Sequence, residues 1–229
     1  MQCSAILVAA GSGIRLGVGE PKAFVKLHGH TMLHYSLSTL AKLPAIAEVV
    51  IATPAGMERK TRDEVARAGL EVPVKITPGG LERQDSVRIA LALTSAEAQV
   101  IIIHDAARPF ADAALFTRCL EVAAARGAAI AAIPVSDTLK RVADGAIHAT
   151  VKRAGLYQAQ TPQAFQRRLL VAAHERATRE RVIATDDADL VEQIRGTVEI
   201  VEASALNMKI TTRADLMIAE AIASSMKFR

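Results

Sequence analysis

The chain has no tryptophan, and aromatic residues make up only 3% of its 229 positions. So few rings argue against the stacking platforms that hold single-stranded nucleic acid. Its two cysteines, Cys3 and Cys119, lie far apart and outside any C-x-x-C pair. That spacing argues against a thiolate zinc site and gives no disulfide framework. No apolar run is long enough to span a bilayer. The N-terminus lacks the basic start, long apolar segment and cleavage site of a signal peptide. These absences lead to the expectation of a cytoplasmic protein without a membrane partner. No run of like charge resembles a nucleic-acid-binding tail, so no nucleic-acid polymer is expected. A net charge of +4 favours anionic ligands without choosing among them.

What the chain has in quantity is small and branched apolar residues, with 51% hydrophobic content against 23% charged. Ala, Val, Ile and Leu dominate, which suits buried parallel strands flanked by Ala-rich helices. Strands are expected at 4–8, 49–53, 74–77, 100–104 and 128–135. Helices are expected between them at 32–43, 57–68, 85–93 and about 113–126. Such alternation predicts parallel strands with right-handed helical crossovers, hence a three-layer α/β sandwich in one domain over 1–229. Two short strand-like runs, 138–142 and 146–151, flank Asp144-Gly145, a hairpin turn signal. The hairpin cannot bury itself alone. It reads either as an arm, about 136–157, that packs on a second subunit, or as an ordinary surface hairpin on its own chain. Thr161 as cap and Pro162 at the first helical position predict a helix over 164–177. A short helix at 186–194 and a strand at 198–201 follow. Thr212 and Asp215 form a capping-box variant opening a helix at about 214–226.

Three segments carry chemistry. The first is Ala9-Ala10-Gly11-Ser12-Gly13-Ile14-Arg15-Leu16-Gly17, directly after the first strand. Glycines there let backbone N–H groups approach an anion. A dinucleotide fingerprint would need Gly where Leu16 stands and an acidic residue after the second strand. A Walker A loop would need Gly-Lys-Ser/Thr, whereas Lys22 follows Pro21. What remains is a glycine loop with two cations, Arg15 and Lys22, spaced to reach one polyphosphate; a tight turn with solvated charges is the plainer reading. The second segment runs from Pro78-Gly79-Gly80 to Asp85-Ser86, where backbone groups and a hydroxyl can read a base edge. Helix capping by Asp85 or Ser86 explains it equally well. The third is His104-Asp105-Ala106-Ala107-Arg108-Pro109. Asp105 falls at a strand's carboxyl end, where α/β sheets place their ligand crevice, and a carboxylate there suits Mg²⁺. Arg108 is a candidate for the incoming phosphate, with a structural Asp–Arg pair as the alternative. His104 reads as a satisfied strand-end residue.

Together these segments resemble the methylerythritol 4-phosphate cytidylyltransferase family of the non-mevalonate isoprenoid pathway. The likeness runs over nearly the whole chain. It continues through Asp137-Thr138-Leu139-Lys140-Arg141, Arg153-x-Gly155-Leu156, Gln160-Thr161-Pro162-Gln163, Thr185-Asp186-Asp187 and Asn207-x-Lys209-Ile210-Thr211. The resemblance implies a Rossmann-like nucleotidyltransferase sandwich with a mostly parallel sheet and a protruding hairpin arm. It implies conversion of CTP and 2-C-methyl-D-erythritol 4-phosphate to 4-diphosphocytidyl-2-C-methyl-D-erythritol and pyrophosphate, with Mg²⁺ as cofactor. Residues 9–13 (Ala9, Ala10, Gly11, Ser12 and Gly13), with Arg15 and Lys22, would hold the triphosphate. Gly80 and Ser86 would recognise cytosine, Asp105 would bind Mg²⁺, and Lys209 would contact the α-phosphate. Ala106, Arg108, Thr138, Arg153, Thr161 and Thr185 would bind the polyol phosphate. A homodimer through the arm is implied, with Arg153 and Thr161 serving the partner's site. Leu81 departs from the family, which often has a polar or acidic residue there. Some relatives carry a downstream cyclase domain; the sequence stops at Arg229, so that activity is not expected.

Rival readings remain at this point. A ribitol 5-phosphate cytidylyltransferase shares the glycine loop and the Thr-Pro-Gln segment, although Lys140-Arg141 and Ala106-Ala107 look more like the methylerythritol enzyme. A sugar-1-phosphate nucleotidyltransferase using another NTP is broader. A non-catalytic nucleotide sensor would keep the loop but lose Asp105 or Lys209, and both are present. A nicotinamide-dependent oxidoreductase conflicts with the loop pattern.

Overall fold

A computed structural model of the chain describes residues 2–17 and 19–225; the Arg15 side chain also lies outside the described set. The elements run β1 (Cys3–Val8), β2 (Lys26–Leu27), β3 (His30–Thr31), α1 (Met32–Leu40), β4 (Ile46–Thr53), α2 (Glu58–Arg67), β5 (Val74–Pro78), α3 (Arg83–Leu93), β6 (Val100–Asp105), α4 (Ala113–Arg126), β7 (Ala128–Pro134), β8 (Leu139–Ala143), β9 (Ala146–Val151), β10 (Tyr157–Gln166), α5 (Arg167–Glu180), α6 (Asp187–Gln193), β11 (Glu199–Glu202) and α7 (Arg213–Ser225).

Successive side chains of a strand point to opposite faces, and the strands here are apolar on both. Ala5 and Leu7 of β1, with Val100 and Ile102 of β6, join Leu33 and Leu37 of α1 and Phe116 and Leu120 of α4 in one core. Ile6, Ile101 and Ile103 point the other way, onto Val87 and Leu91 of α3, Leu170 of α5 and Leu190 of α6. The sheet is therefore the middle of three layers, as the sequence predicts. Among the described residues it has the order β11-β7-β10-β6-β1-β4-β5. β1 pairs parallel with both β4 and β6, β4 with β5, and β11 with β7. A third cluster, including Leu16, Leu27, Tyr35 and Phe110, seats α7 through Ala219 and Ala223.

One expectation fails. Thr161 and Pro162 do not start a helix; they lie inside β10, and α5 begins at Arg167. β10 runs antiparallel to β6 and β7 and pairs with both, so long-range ladders on two sides override the local proline signal. The register against β7 shifts between Ala159 and Gln163. Proline, which lacks an N–H, fits within that irregularity without costing a ladder bond. At the C-terminus, α7 is described to Ser225, and Met226 lies outside the described residues.

The hairpin forms as expected. Among the described residues β8 and β9 pair only with each other, and Ala143 faces Ala146 across the two-residue turn. Asp144 and Gly145 have φ of 50° and 77°, the positive pair that a right-handed hairpin twist favours. Val142 and Ile147 are well exposed on it.

Candidate active site

The carboxyl ends of β1, β5 and β6 open onto a cleft of about 650 Å³. It lies where open α/β sheets bind ligands, next to the strand from which the chain departs in both directions. Residues 9–13 form one wall as they leave β1. Gly13 has φ 72°, and a Cβ there would come within 3.0 Å of the Lys22 backbone nitrogen. A side chain there would be strained at this positive φ and would push the Lys22 segment back by a few tenths of an ångström. Lys22 N in turn donates to Gly11 O at 3.3 Å, closing the loop against the cation. A turn over Lys22–Phe24 is anchored by buried Ala23 and Phe24. Burying such a ring contributes about 2–3 kcal/mol. Lys22 lines the cleft. Arg15 belongs to the short turn Ile14–Leu16, but its side chain lies outside the described residues.

The opposite wall is the loop after β5. A Cβ on Gly79 would fall 2.3 Å from Ala10 Cβ, and one on Gly80 would fall 2.3 Å from Asp85 Cβ. Gly79 thus lets the second loop press against the first, and Gly80 lets it fold back onto the start of α3. Ser86 is buried; its hydroxyl accepts from Gly80 N at 3.1 Å and donates to Glu82 O at 3.2 Å. Helix α3 starts two residues earlier than expected, at Arg83, with Asp85 Oδ2 accepting from Glu82 N at 3.4 Å. Asp85 therefore does help to cap the helix, and Gly80 and Ser86 still line the cleft. Leu81, at the rim, is 99% exposed.

Asp105 ends β6 at the cleft floor. Its Oδ1 accepts from Arg83 Nε at 2.9 Å and its Oδ2 from Lys209 Nζ at 2.7 Å. Burial pushes the Asp105 carboxyl up, and the Arg83 and Lys209 cations more than reverse this, holding it well below the usual carboxylate range. The result is a fixed negative charge beside two positive ones. Lys209 is 104 residues distant in sequence. It is delivered by the 204–211 segment: Asn207 Nδ2 donates to Gln160 Oε1 at 2.8 Å and Thr161 O at 2.9 Å, and Ile210 N donates to Ala107 O at 2.9 Å.

Behind Asp105 lies a buried polar relay. Asp105 N donates to Thr161 Oγ1 at 3.0 Å, and Thr161 Oγ1 is 3.0 Å from His104 Nδ1. His104 Nε2 is 3.1 Å from the Arg108 carbonyl, which can only accept. Nε2 must then carry the proton, Nδ1 accepts, and the Thr161 hydroxyl donates to it. Burial lowers the His104 pKa to about 4, so the ring is neutral near pH 7, as a satisfied strand-end histidine should be.

Not every expected residue meets here. Thr161 is 4% exposed, and its hydroxyl lies on its own chain's His104 and Asp105. Arg108 is also buried. Its Nη1 donates to Asn207 O at 2.8 Å and its Nη2 to Ala159 O at 3.4 Å, and it does not line the cleft. The Asp–Arg pair exists, but with Arg83 as the cation. Ala106 lines the cleft, whereas Thr138, Arg153 and Thr185 are exposed and do not. Arg153 Nη1 donates to Ser136 O at the base of the arm, and Thr185 N donates to Asp189 Oδ2 at 3.1 Å.

A metal would find a sparse donor set. Among the described residues no three His, Cys, Asp or Glu side chains gather to hold one. Mg²⁺ does not require that; it takes one or two carboxylates and completes its shell with substrate phosphates and water. An ionised Asp105 facing a phosphate-sized cleft fits that habit.

The family model for 2-C-methyl-D-erythritol 4-phosphate cytidylyltransferase matches residues 3–225. A relative of that name from Deinococcus radiodurans is 45% identical over 219 residues, covering 96% of this chain and 88% of its own length. The crystal structure of 2-C-methyl-D-erythritol 4-phosphate cytidylyltransferase from Thermus thermophilus superposes with a TM-score of 0.82 at 36% identity, covering 98% of this chain and all of the other. That of 4-diphosphocytidyl-2C-methyl-D-erythritol synthase from Anaerococcus prevotii gives 0.86 at 28%, over 97% and 96%. With matches of this extent in sequence and in backbone, the chain belongs to the 2-C-methyl-D-erythritol 4-phosphate cytidylyltransferase family.

Proposed function

We propose that this chain transfers a cytidylyl group from CTP to 2-C-methyl-D-erythritol 4-phosphate, releasing pyrophosphate. The observation that carries the reading is the Asp105 carboxylate, held ionised between Arg83 and Lys209 in a cleft walled by a glycine loop and Lys22. An acceptor phosphate oxygen attacks the α-phosphorus, a new P–O bond forms, and the bond to the β-phosphate oxygen breaks. The electron pair leaves with pyrophosphate. The nucleophile is already an anion, so no general base is needed. The barrier is electrostatic, because one anion approaches another and charge accumulates in the transition state.

The residues answer that difficulty. N–H groups of residues 9–13 and the Lys22 ammonium hold the β- and γ-phosphates. Lys209 contacts the α-phosphate, and Arg15 shares the triphosphate charge as the family resemblance implies. Gly80 and Ser86 read cytosine from the opposite wall. Asp105 would hold Mg²⁺, which when bound supplies charge neutralisation at the phosphates. Ala106 borders the acceptor, and Arg108 backs that region from beneath. Thr138, Arg153 and Thr185 are proposed to reach an acceptor phosphate from outside the cleft. The exposed apolar residues Val142 and Ile147, on a hairpin that joins no larger sheet among the described residues, support a homodimer formed through the arm. Charged, water-soluble substrates support the cytoplasm as its compartment, and among the described residues no helix is long and apolar enough to cross a membrane.

The test is an assay with CTP, Mg²⁺ and either methylerythritol 4-phosphate or ribitol 5-phosphate. Pyrophosphate and a cytidine diphosphate product are expected with the first acceptor. Turnover with ribitol 5-phosphate alone, or tight CTP binding without turnover, would replace this reading by one of its rivals.

A further inference from the structure

Behind Arg83 lies a buried ionic group, Asp187 with His174, that takes no part in the chemistry so far described. Asp187 opens α6 and is 1% exposed. Its Oδ2 accepts from Arg83 Nη1 at 2.7 Å, and its Oδ1 lies 3.0 Å from His174 Nε2 on α5. The same Arg83 places its Nε on Asp105 at 2.9 Å. One guanidinium thus bridges two buried carboxylates, of which only Asp105 lines the cleft. A guanidinium is planar and rigid, so pinning one edge on Asp187 sets the direction of the N–H that holds Asp105.

The next residue adds a second tether. Gln84 Nε2 donates to Val182 O at 3.0 Å, and Gln84 Oε1 accepts from Ala184 N at 2.9 Å. The first turn of α3, which grows out of Gly79-Gly80, therefore grips the 182–187 segment at both ends. Thr185 sits inside that span. A buried ion pair gains little net stability, since desolvation offsets the Coulomb attraction. What it supplies here is fixed orientation between a nucleotide-side loop, the Asp105 carboxylate and an acceptor-side segment.

We propose that Asp187 is a positioning residue for the transfer: through Arg83 it fixes the Asp105 carboxylate, and together with Gln84 it ties the 182–187 segment to the nucleotide loop. This rests on the transfer reaction proposed above. Steady-state kinetics, calorimetric CTP binding and melting curves on the full chain test it. Asp187→Asn keeps the side-chain size and removes the charge. Its kcat should fall roughly 10- to 100-fold, the scale of an ångström's misplacement, while CTP affinity changes by less than about threefold. Arg83→Met combined with Asp187→Asn should be within about twofold of Arg83→Met alone, because both act through one link. Gln84→Ala removes no buried charge; it should raise the acceptor KM by roughly three- to tenfold and leave CTP affinity unchanged. A purely structural cluster would lower the melting temperature and leave kcat per folded molecule intact, and that outcome overturns the proposal. Multiplying losses in the double variant also overturn it. If Asp187→Asn does not fold, an unaltered acceptor KM in Gln84→Ala overturns it. Product from the wild type with unaffected variants removes only the positioning role, whereas no product from the wild type removes the proposed reaction as well.

Discussion

Thr161→Val separates support of the site from contact with a ligand. Valine nearly matches threonine in shape, so the substitution removes one hydroxyl and little volume. That hydroxyl serves two buried groups, the Asp105 N–H and His104 Nδ1, each at 3.0 Å. Each becomes unsatisfied, at about 1–3 kcal/mol apiece. Partial relaxation around the pair brings the expected loss to about 2–4 kcal/mol, and for a domain of this size that lowers Tm by roughly 4–16 °C. Activity should fall too, because the Asp105 backbone loses a tether directly under the carboxylate. Scanning calorimetry paired with kinetics reads both. A Tm within about 2 °C of wild type, with only the acceptor KM raised, would refute the relay and make Thr161 a direct ligand.

The same geometry sets the response of other residues. Lys22→Ala and Lys209→Ala should each lower kcat by roughly 10²–10³, as expected for loss of a group that stabilises the transition state, with Tm moving only a few degrees; near-normal turnover in both would break the electrostatic scheme. Gly80→Ala would put a Cβ 2.3 Å from Asp85 Cβ, so the loop must shift; CTP KM should rise and stability drop by about 1–3 kcal/mol, and an unchanged KM would contradict the close-packed loop. His104 has a folded pKa of about 4 against an unfolded value of 6.5. The unfolded chain therefore binds the extra proton more readily between those values, and stability should decline by roughly 3 kcal/mol as pH falls from 7 to 4. Denaturant titrations at a series of pH values should show that slope disappear in His104→Gln.

The sheet was legible because its strands are nearly continuous apolar runs. Residues 100–103, Val-Ile-Ile-Ile, can hardly be anything but a buried strand, and the helix boundaries between strands fall within two or three residues of their periodic signals. Asp144-Gly145 gave the hairpin turn by its need for positive φ. β10 was not legible, because Thr161-Pro162 carries a strong local helix-start signal and only its two neighbouring strands contradict it. In the site, the glycine loops and Asp105 could be found from strand ends. The cation on Asp105 could not: the sequence suggested only a pair with Arg108, but Arg108 is buried against two backbone carbonyls and Arg83, from another loop, takes its place. Asp187, 104 residues from Arg83, showed in the sequence only within the Thr185-Asp186-Asp187 segment of the family resemblance, with no role of its own. Nothing short of the folded sheet relates the two.

The most direct measurement of the central claim follows the α-phosphorus itself. CTP labelled there is supplied with Mg²⁺ and methylerythritol 4-phosphate to the wild type and to folded Asp105→Asn. Label should pass into a cytidine diphosphate product of the polyol in the wild type, and roughly 10²- to 10³-fold more slowly in the variant. Equal transfer by both proteins would mean that the carboxylate between Arg83 and Lys209 is not where the phosphates meet.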